Sequence, residues 1–480
     1  MLTTASKAEA FSSKIVESPS HPSFYSLRSH RLVICVLLLL TTYFSQANTL
    51  GMNTAIVCMV NATLAPDPLS DHVKEPKFAT THNESEKEFA IPGPFDWSPS
   101  EQSWLLSARF YGNCLTVAVS GAAADWFGPD RVLTVALLLS SALTVLTPSL
   151  AHSNYYVLVG SRGLLGAVES FHVPAINSLL QRWYPAVEKT IAVSIYSMGF
   201  QFAGGFASLF ASLICGSHFL GGWPSIFYIF GGACCTFAFV WIAFGYGGPS
   251  KNRWVKESER KYLNECIKIK SKIQKEERKT PLSTILLSKP LQSIVLCQCS
   301  LWFSTTVIQT FLPFFLRDLG LSIDLIGWFT LTPFVAQIAG KAICGPLIDY
   351  CVRKEHISMD HATKLAQAIS NFGCSAMLIL LAFVPSCPNP KIAWYFLLTY
   401  GFLKTGSTNG AFTAMFLISP KNMATISTLS AMSKIVSSMM CTFIVNALTA
   451  IDTPHKWAIV FVITCIVQCT ACVHFLIYGS

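Results

Sequence analysis

Blocks of about 20 apolar residues recur along nearly the whole chain, and they constrain its fold more than any other feature. A helix needs about 20 apolar residues to cross roughly 30 Å of hydrocarbon. Only 12% of the 480 residues are charged and the mean hydropathy is +0.48, whereas a soluble domain carries about 25% charged residues. The sequence therefore predicts an all-α polytopic membrane protein. It excludes a soluble enzyme, a disulfide-rich secreted scaffold and a nucleic-acid-binding module.

The apolar blocks predict twelve membrane-spanning helices in two groups of six. The predicted spans are 32–58, 104–123, 132–151, 155–180, 190–215, 223–245, 291–316, 325–348, 365–384, 394–417, 424–448 and 457–478. They divide the chain into a cytoplasmic tail (1–31), an N-terminal six-helix half (32–245) with a long outer loop (59–103), a basic cytoplasmic loop (246–290) and a C-terminal six-helix half (291–480).

The distribution of basic residues orients these spans. With the N-terminus placed in the cytoplasm, the inner segments hold 23 of the 34 Lys and Arg residues, and the outer loops hold six. Because Lys and Arg are enriched in cytoplasmic loops, we expect both termini to be cytoplasmic. The net charge of +9 reflects this asymmetry and does not indicate a nucleic-acid partner.

The two long loops carry further signals. The outer loop has Asn-x-Ser/Thr glycosylation acceptors at Asn61 and Asn83, although such triplets also occur by chance. Asn83 is the better candidate, because Asn61 lies at the membrane edge. In the basic loop, apolar residues recur at helical spacing from Tyr262 to Ile273. This pattern predicts either a helix on the inner membrane surface or a solvated helical linker.

No metal, cofactor or nucleotide site is indicated. The 17 cysteines lie mostly inside apolar blocks, and no Cys-x-x-Cys pair stands in a polar loop. The pattern therefore suggests neither a zinc site nor a disulfide framework. The sequence also lacks the Gly-x-x-x-x-Gly-Lys-Ser/Thr motif that an ATP-driven pump would need.

A short motif occurs at equivalent places in the two groups of spans, 224 residues apart. Each copy is a Gly, an Asp four residues later and then a basic residue: Gly121, Asp125 and Arg131, and Gly345, Asp349 and Arg353. Two related halves of six helices are a transporter architecture. Gly permits close helix contact, and the charged residues can pair across the inner ends of the helices. We expect these six residues to gate the inner side; a static turn is the alternative.

With this paired motif, the sequence resembles the major facilitator superfamily. Within it, the chain is similar to the anion:cation symporters, which include type I sodium/phosphate cotransporters, sialin and the vesicular glutamate transporters. The resemblance rests on Ala55 to Asn61, Arg162 to Glu169 with Pro174, Trp183 to Lys189, Gly222 to Gly231 and Ser288 to Pro290. It implies secondary active transport of an organic or inorganic anion, coupled to protons or sodium.

The chain departs from this family at several positions. Members commonly have an arginine in the first helix where Thr49 stands, and the vesicular glutamate branch has a histidine in the second helix where Leu106 stands. A charged residue of the seventh helix is replaced near Leu301, and an aspartate of the tenth helix aligns with Leu417. These departures leave the anion unspecified.

One acidic residue lies inside the predicted spans, and ionisable groups at membrane depth normally face a cavity. This residue is Glu169, with His172 less than one turn further along the helix. We expect Glu169 to couple transport to an ion, with His172 and Lys434 taking part. A structural ion pair of Glu169 with Arg162 or Lys434 is the alternative.

Several buried cations and one amide are candidates to bind an anionic substrate: Arg162, Arg109, Lys404 and Asn53. Lys404 lies about ten residues inside its span, roughly 15 Å deep, and it is therefore expected to face the cavity. Arg109 lies nearer the outer end, so a side chain that reaches back to the membrane surface is the alternative there. An arginine in the cavity offers a two-pronged contact to carboxylate or phosphate.

These features predict a monomeric transporter that moves a small anionic solute across a lipid bilayer by alternating access. The plasma membrane and a lysosomal or vesicle membrane both fit the sequence. The alternative is a degenerate transporter-like protein that binds a ligand or partner without moving it. A channel also remains open, although the two-half repeat favours alternating access.

Overall fold

The computed structural model describes most of the chain. The described residues are 29–60, 93–217, 221–257, 259–263, 288–354, 357–384, 391–412, 414, 423–450 and 456–479. Within these ranges the chain is helical, and no β-strand is formed. The glycosylation candidates Asn61 and Asn83 lie outside the described residues.

Twelve helical segments follow one another along the described chain. They are α1 (His30–Met59), α2 (Pro99–Phe127), α3 (Pro129–Ser153), α4 (Tyr155–Glu169 and His172–Trp183), α5 (Ala186–Gly216), α6 (Trp223–Phe244), α7 (Lys289–Asp318), α8 (Ile323–Arg353), α9 (Met359–Phe383), α10 (Lys391–Lys404, then Thr408–Phe412), α11 (Met423–Ala450) and α12 (Lys456–Tyr478).

Nine of these segments are long and apolar enough to cross a membrane; the exceptions in the described part of the chain are α2, α4 and α10. Both α4 and α10 are interrupted. The predicted all-α polytopic fold of two six-helix halves is confirmed. We call the face where α1 begins the near face and the face where α1 ends the far face.

α2 begins one turn earlier than the predicted start at 104. Ser98 caps the helix by accepting a hydrogen bond from the backbone N–H of Glu101, and the Glu101 side chain accepts from Ser98 in return. Pro99 occupies the first helical position, where its missing N–H costs nothing. Arg109 therefore lies ten residues inside α2.

The buried apolar residues form clusters that differ between the two faces. One cluster unites both halves towards the far face and includes Met52 and Phe227 with Phe311 and Phe461. Towards the near face each half has a cluster of its own, around Trp183 in the first half and around Leu291 in the second. Among the described residues, the two halves therefore share a buried apolar cluster at the far face, and each near-face cluster stays within one half.

α4 breaks at Ser170 and Phe171, within the predicted span 155–180. Proline has no N–H and its ring crowds the carbonyl four residues earlier, which for Pro174 is the carbonyl of Ser170. The chain makes a tighter turn there, in which the Phe171 N–H donates to the Val168 carbonyl over 3.2 Å. The break places Glu169 at the end of the first part of α4.

α10 breaks at the corresponding place in the second half. Its regular helix ends at Lys404, and Gly410 has non-helical dihedral angles. The backbone N–H of Ala411 donates to Oε1 of Gln367 on α9 over 2.9 Å. Because the Gln367 side chain satisfies the backbone N–H of Ala411, the break leaves this group paired and is a stable part of the fold. Each half thus has a charged residue at a break in its fourth helix.

Candidate functional site

Glu169 is held by residues from two other helices. Its Oε1 atom accepts hydrogen bonds from Nε2 of Gln46 (2.7 Å) and from Oγ1 of Thr49 (3.2 Å), both on α1. Its Oε2 atom lies 3.8 Å from Nη1 of Arg109 on α2. The carboxylate side chain is 10% exposed. Both carboxylate oxygens are therefore engaged by side chains of neighbouring helices.

Glycines bring Arg109 to this carboxylate. A Cβ atom on Gly166 would lie 1.9 Å from the Arg109 carbonyl, and one on Gly112 would lie 1.7 Å from the Gly163 carbonyl. Only glycine permits backbones to approach this closely. The contact turns Arg109 into the protein, so the alternative of a side chain that reaches back to the membrane surface is wrong.

His172 lies in the second part of α4, just after the break. Its Nδ1 atom is 3.3 Å from the backbone carbonyl of Glu169 and does not contact the carboxylate. Its buried Nε2 atom has no hydrogen-bond partner among the described residues. The proximity of His172 to Glu169 that the sequence predicts is present, through the backbone.

Arg162 lies about 10 Å along α4 from Glu169 towards the far face. Its Nη2 atom is 3.4 Å from Oγ1 of Thr147, and its guanidinium lies 5.3 Å from the ring centre of Phe227. The residue is 4% exposed, and its Nε atom has no hydrogen-bond partner in the described part of the chain. No carboxylate of the described chain lies within ion-pair distance of it. The alternative of an Arg162–Glu169 ion pair is wrong; Glu169 pairs with Arg109 instead.

Lys404 is buried in the second half, at the break in α10. Its Nζ atom donates to Oγ of Ser304 on α7 (3.0 Å) and to the hydroxyl of Tyr400 (2.9 Å). These partners are neutral. Within the described ranges, no carboxylate forms an ion pair with this ammonium group.

Lys434 on α11 lies at the boundary between the halves. Its Nζ atom is 4.4 Å from the ring centre of Trp302 on α7 and 5.4 Å from that of Phe200 on α5. The ring faces stabilise the cation. No described carboxylate pairs with it, so the alternative of a Lys434–Glu169 ion pair is not what the structure shows.

Asn53 contacts the other half of the protein. Its Nδ2 atom donates to the backbone carbonyl of Gln309 on α7 (3.1 Å) and lies 3.5 Å from Oγ1 of Thr310. Asn446 on α11 similarly donates to Ser107 on α2 (3.4 Å). These bonds lie in the region where both halves pack together. Asn53, predicted to bind substrate, is therefore engaged in closing the far face.

The predicted gating residues lie at the open near face. A Cβ atom on Gly121 or Gly345 would meet no described atom within 4 Å, so the described residues do not make the close helix contact expected there. Asp125 accepts a 3.5 Å hydrogen bond from Ser178.

The remaining members of the gating motif form no latch that the structure describes. Arg131 is exposed at the start of α3, and no ion pair joins it to a described carboxylate. Asp349 and Arg353 lie in α8, and only their backbone is described.

Sequence reasoning missed an ion-pair cluster at the start of α1. Arg31 is fully buried and forms ion pairs with Glu188 and with Glu259 of the basic loop segment. The Tyr184 hydroxyl donates to the Arg31 carbonyl over 2.7 Å, and burial raises the pKa of Tyr184 well above its usual range. Tyr262 is buried against this cluster, so at this residue the loop segment is neither on a membrane surface nor solvated.

A disulfide was also missed. Cys58 at the far end of α1 is bonded to Cys215 in α5, with the two Cα atoms 6.5 Å apart. Two cysteines in separate apolar blocks carry no spacing pattern, so only the fold reveals the pair.

Two cavities on the flanks of the first half are apolar. One of about 290 Å³ lies between α1, α5 and α6, beside Tyr43 and Phe230. The other, of about 490 Å³, lies between α2 and α4, beside Trp104 and Leu164. Neither is lined by the buried charges, so neither is the cavity that these charges are expected to face.

The fold and these buried charges define a polytopic membrane protein of the transporter type, with interrupted helices at matching places in its two halves. Residues 32–441 match the family model of the Major Facilitator Superfamily, and the chain belongs to this family. Its members are transporters that move small solutes across the lipid bilayer, and they are not enzymes.

Curated relatives cover most of the chain. An uncharacterised transporter of Caenorhabditis elegans, slc-17.3, is 27% identical over 96% of this chain and 89% of its own length. A probable small intestine urate exporter of Homo sapiens is 25% identical over 96% of this chain and 92% of its own length. Human vesicular glutamate transporter 2 is 25% identical over 80% of this chain and 66% of its own. The predicted resemblance to the anion:cation symporters is confirmed.

Solved structures share the fold. A bacterial homologue of the human lysosomal transporter Spinster, inward-facing and unoccupied, has a TM-score of 0.64 with 14% identity and covers 95% of this chain and 98% of its own. A partially occluded, inward-open structure of the xylose transporter XylE from E. coli has a TM-score of 0.66 with 13% identity, covering 94% of this chain and 100% of its own.

Proposed function

We propose that this protein is a secondary active transporter that carries a small organic or inorganic anion across a membrane by alternating access, coupled to protons or sodium. The observation that carries the proposal is the buried guanidinium of Arg162, with which no carboxylate of the described residues forms an ion pair. A buried charge without a counter-ion is strongly unfavourable, and an anionic solute would supply the missing negative charge.

The balance of buried charge supports an anionic solute as the substrate. Within the predicted spans, as far as the structure describes them, the basic residues Arg109, Arg162, Lys404 and Lys434 are accompanied by one carboxylate, that of Glu169. Glu169 is already paired with Arg109. Among the described residues, the hydrogen-bond and ring partners of the other three cations are neutral. We propose that Arg162 and Lys404 contact the anion from their respective halves, and that Lys434 tunes the field between them.

The surroundings of Glu169 support a coupling role. Two neutral donors on α1 and one cation on α2 contact its carboxylate. Protonation would remove the charge that holds Arg109, and a bound sodium ion would compete for the same oxygens. Either event changes the contacts between three helices of one half. His172 lies beside this carboxylate and would assist a proton transfer.

Two relatives support an anionic solute by name. One is a probable urate exporter and another is a vesicular glutamate transporter; urate and glutamate are both anions. We propose that this chain takes an anion of comparable size.

We further propose that the near face is cytoplasmic, with the tail 1–31 and the basic loop 246–290 on that side. The excess of Lys and Arg supports this orientation. The Cys58–Cys215 disulfide at the far face agrees with it, because disulfides persist on extracellular and lumenal surfaces. Asn83 and Asn61 would then be accessible for glycosylation. A plasma membrane and a lysosomal or vesicle membrane both satisfy these features.

The test is uptake into liposomes that contain the purified protein. A panel of carboxylates, urate and inorganic phosphate is offered with and without an imposed proton or sodium gradient. We expect at least one anion to enter faster with a gradient of one of these ions. Uptake that no gradient stimulates would reject coupling. Binding of an anion without uptake would favour the degenerate, non-transporting alternative, which is consistent with Thr49 standing where family members have arginine.

A further inference from the structure

Residues 249–257 of the basic loop pack against the near face of the first half, and we call them the near-face loop. Oδ1 of Asn252 accepts a hydrogen bond from the backbone N–H of Trp254 over 2.7 Å, which closes a tight turn. The Asn252 carbonyl accepts from Nη2 of Arg260 over 2.9 Å. Asn252 and Val255 are buried. The loop is therefore held in one conformation by its own hydrogen bonds and by burial.

The residues that follow this loop bind to the start of α1. The Glu259 carboxylate accepts hydrogen bonds from Oγ of Ser29 (2.9 Å) and from the backbone N–H of His30 (3.3 Å). It also forms an ion pair with the buried side chain of Arg31 over 2.8 Å. The near-face loop is therefore anchored on both sides, by its turn and by Glu259, and the side chains that it exposes are held in place.

Trp254 is one of these exposed side chains, and it lies at the end of a membrane span. The span is α6, Trp223–Phe244. The last residue of the span, Phe244, is 40% exposed, as is Val240 one turn earlier at 39%. Trp254 is 61% exposed, and its ring centre lies 6.0 Å from that of Phe244. Because Trp is enriched where a span meets the lipid headgroups, this position places the Trp254 ring at headgroup level.

Two cations flank Trp254 in the near-face loop. Arg253 and Lys256 are both exposed, and neither forms an ion pair with a carboxylate of the described chain. The neighbouring acid, Glu257, is paired with Arg260 over 3.0 Å. The loop therefore presents uncompensated positive charge next to an exposed indole ring.

We propose that Arg253, Trp254 and Lys256 bind the headgroup of an acidic phospholipid in the adjoining leaflet. The two cations contact the charged groups of the headgroup, and the indole ring packs beside the upper part of the acyl chains. The positive charge favours an acidic lipid over a zwitterionic one. The ring, next to the lipid-facing end of α6, favours a lipid over a soluble phosphate.

The proposed orientation of the protein agrees with this site. Acidic lipids are concentrated in the cytoplasmic leaflet, and the near face is the one proposed to be cytoplasmic. The lipid site does not depend on which solute is carried or on what drives transport.

Native mass spectrometry of the full-length protein in detergent tests the proposal, with phosphatidylserine and phosphatidylcholine as the probes. The parent should bind its first phosphatidylserine more tightly than its first phosphatidylcholine. A cation near an acidic headgroup contributes a factor of about five. The double variant Arg253→Gln/Lys256→Gln should therefore bind phosphatidylserine about five- to thirtyfold more weakly and phosphatidylcholine as before. Equal affinity of the parent for the two lipids, or unchanged phosphatidylserine binding by the double variant, would overturn the proposal.

The matched control removes the same net charge at the far face. Arg317 and Lys456 both pair with Asp318, at 3.8 Å and 3.3 Å, so Arg317→Gln/Lys456→Gln should bind phosphatidylserine as the parent does. An equal loss in the two double variants would mean that the net charge of the protein decides binding, and the near-face site would be rejected.

Two further measurements distinguish a lipid from a soluble phosphate. Trp254→Ala keeps both cations and should weaken phosphatidylserine binding about two- to tenfold through the lost apolar contact. Glycerophosphoserine, which has the same headgroup and no acyl chains, should not displace the lipid at millimolar concentration. Displacement by glycerophosphoserine, or full affinity in Trp254→Ala, would overturn the assignment to a lipid.

Thermal unfolding provides a second readout for the same variants. A ligand that binds the folded state raises its stability, so phosphatidylserine should raise the melting temperature of the parent more than phosphatidylcholine does. The double variant Arg253→Gln/Lys256→Gln should lose this difference, and an undiminished difference would contradict the proposal. Because no solute or ion gradient is involved, failure here is distinguishable from failure of anion transport.

Discussion

Gln46 on α1 and Glu169 on α4 are joined by a hydrogen bond of 2.7 Å at the point where α4 breaks. The bond ties the Glu169 carboxylate to the helix that also contacts the second half through Asn53. A change in the charge of Glu169 therefore acts on α1 directly. This relationship gives the coupling proposal a physical basis.

Replacing Arg162 should remove most transport. A charge-assisted hydrogen bond contributes about 1.5–3 kcal/mol, so Arg162→Ala should lower the initial rate of anion uptake by about ten- to a hundredfold. Arg162→Lys keeps the charge but loses the two-pronged geometry, and we expect an intermediate rate. Arg317→Ala is the control, since Arg317 lies at the far end of α7 and pairs with the neighbouring Asp318. Uptake by Arg162→Ala at the parent rate would remove Arg162 from the substrate site.

Gly166 and Gly160 allow a matched comparison on one helix. A Cβ atom on Gly166 would lie 1.9 Å from the Arg109 carbonyl, whereas one on Gly160 would meet nothing within 4 Å. Gly166→Ala should push α2 away from α4 and destabilise the protein by about 1–3 kcal/mol or more through overpacking. Gly160→Ala should be neutral or slightly stabilising. Thermal unfolding in detergent measures both, and equal melting temperatures would contradict the close packing.

Glu259 and Glu257 form a second matched pair, two residues apart. Glu259 is buried against Arg31, so Glu259→Ala should destabilise the protein by about 3–5 kcal/mol. The Glu257 side chain is 82% exposed and contacts Arg260 at the surface, so Glu257→Ala should change stability by about 1 kcal/mol or less. Denaturation midpoints provide the measurement. A similar loss in both variants would mean that the loop segment is not anchored through Glu259.

Much of the fold follows from the sequence, because membrane-spanning helices are specified by local composition. Apolar length predicted all twelve segments, including α12, whose bounds 456–478 differ from the predicted 457–478 by one residue. The start of α2 was missed because Ser98 and Glu101 extend the helix with polar residues that hydropathy counts as loop. The break in α4 was signalled by Pro174, but a proline inside an apolar block does not tell whether the helix bends or stops.

The site is harder to predict from the sequence, because the contacts between helices decide which side chains pair with one another. Glu169 stands out as the one acidic residue in a predicted span, but its partner was not apparent. Arg109 is brought to it by glycines on α2 and α4 that look ordinary in a membrane helix. Gln46 and Thr49 are neutral, so the distribution of charged residues did not indicate that they contact Glu169. Asn53 looks like a cavity residue in sequence and becomes an inter-half contact only when α7 is placed beside it.

Coupled uptake in liposomes that contain the parent protein or Glu169→Gln tests the central claim most directly. The substitution keeps an oxygen that can accept from Gln46 and Thr49 and removes the titratable charge. Each protein is assayed for uptake driven by an imposed proton or sodium gradient and for exchange of labelled against unlabelled anion without a gradient, with Glu257→Gln as the control. We predict that the gradient stimulates uptake by the parent and by Glu257→Gln, while Glu169→Gln retains exchange and loses the stimulation. Equal stimulation of the parent and Glu169→Gln would contradict the account.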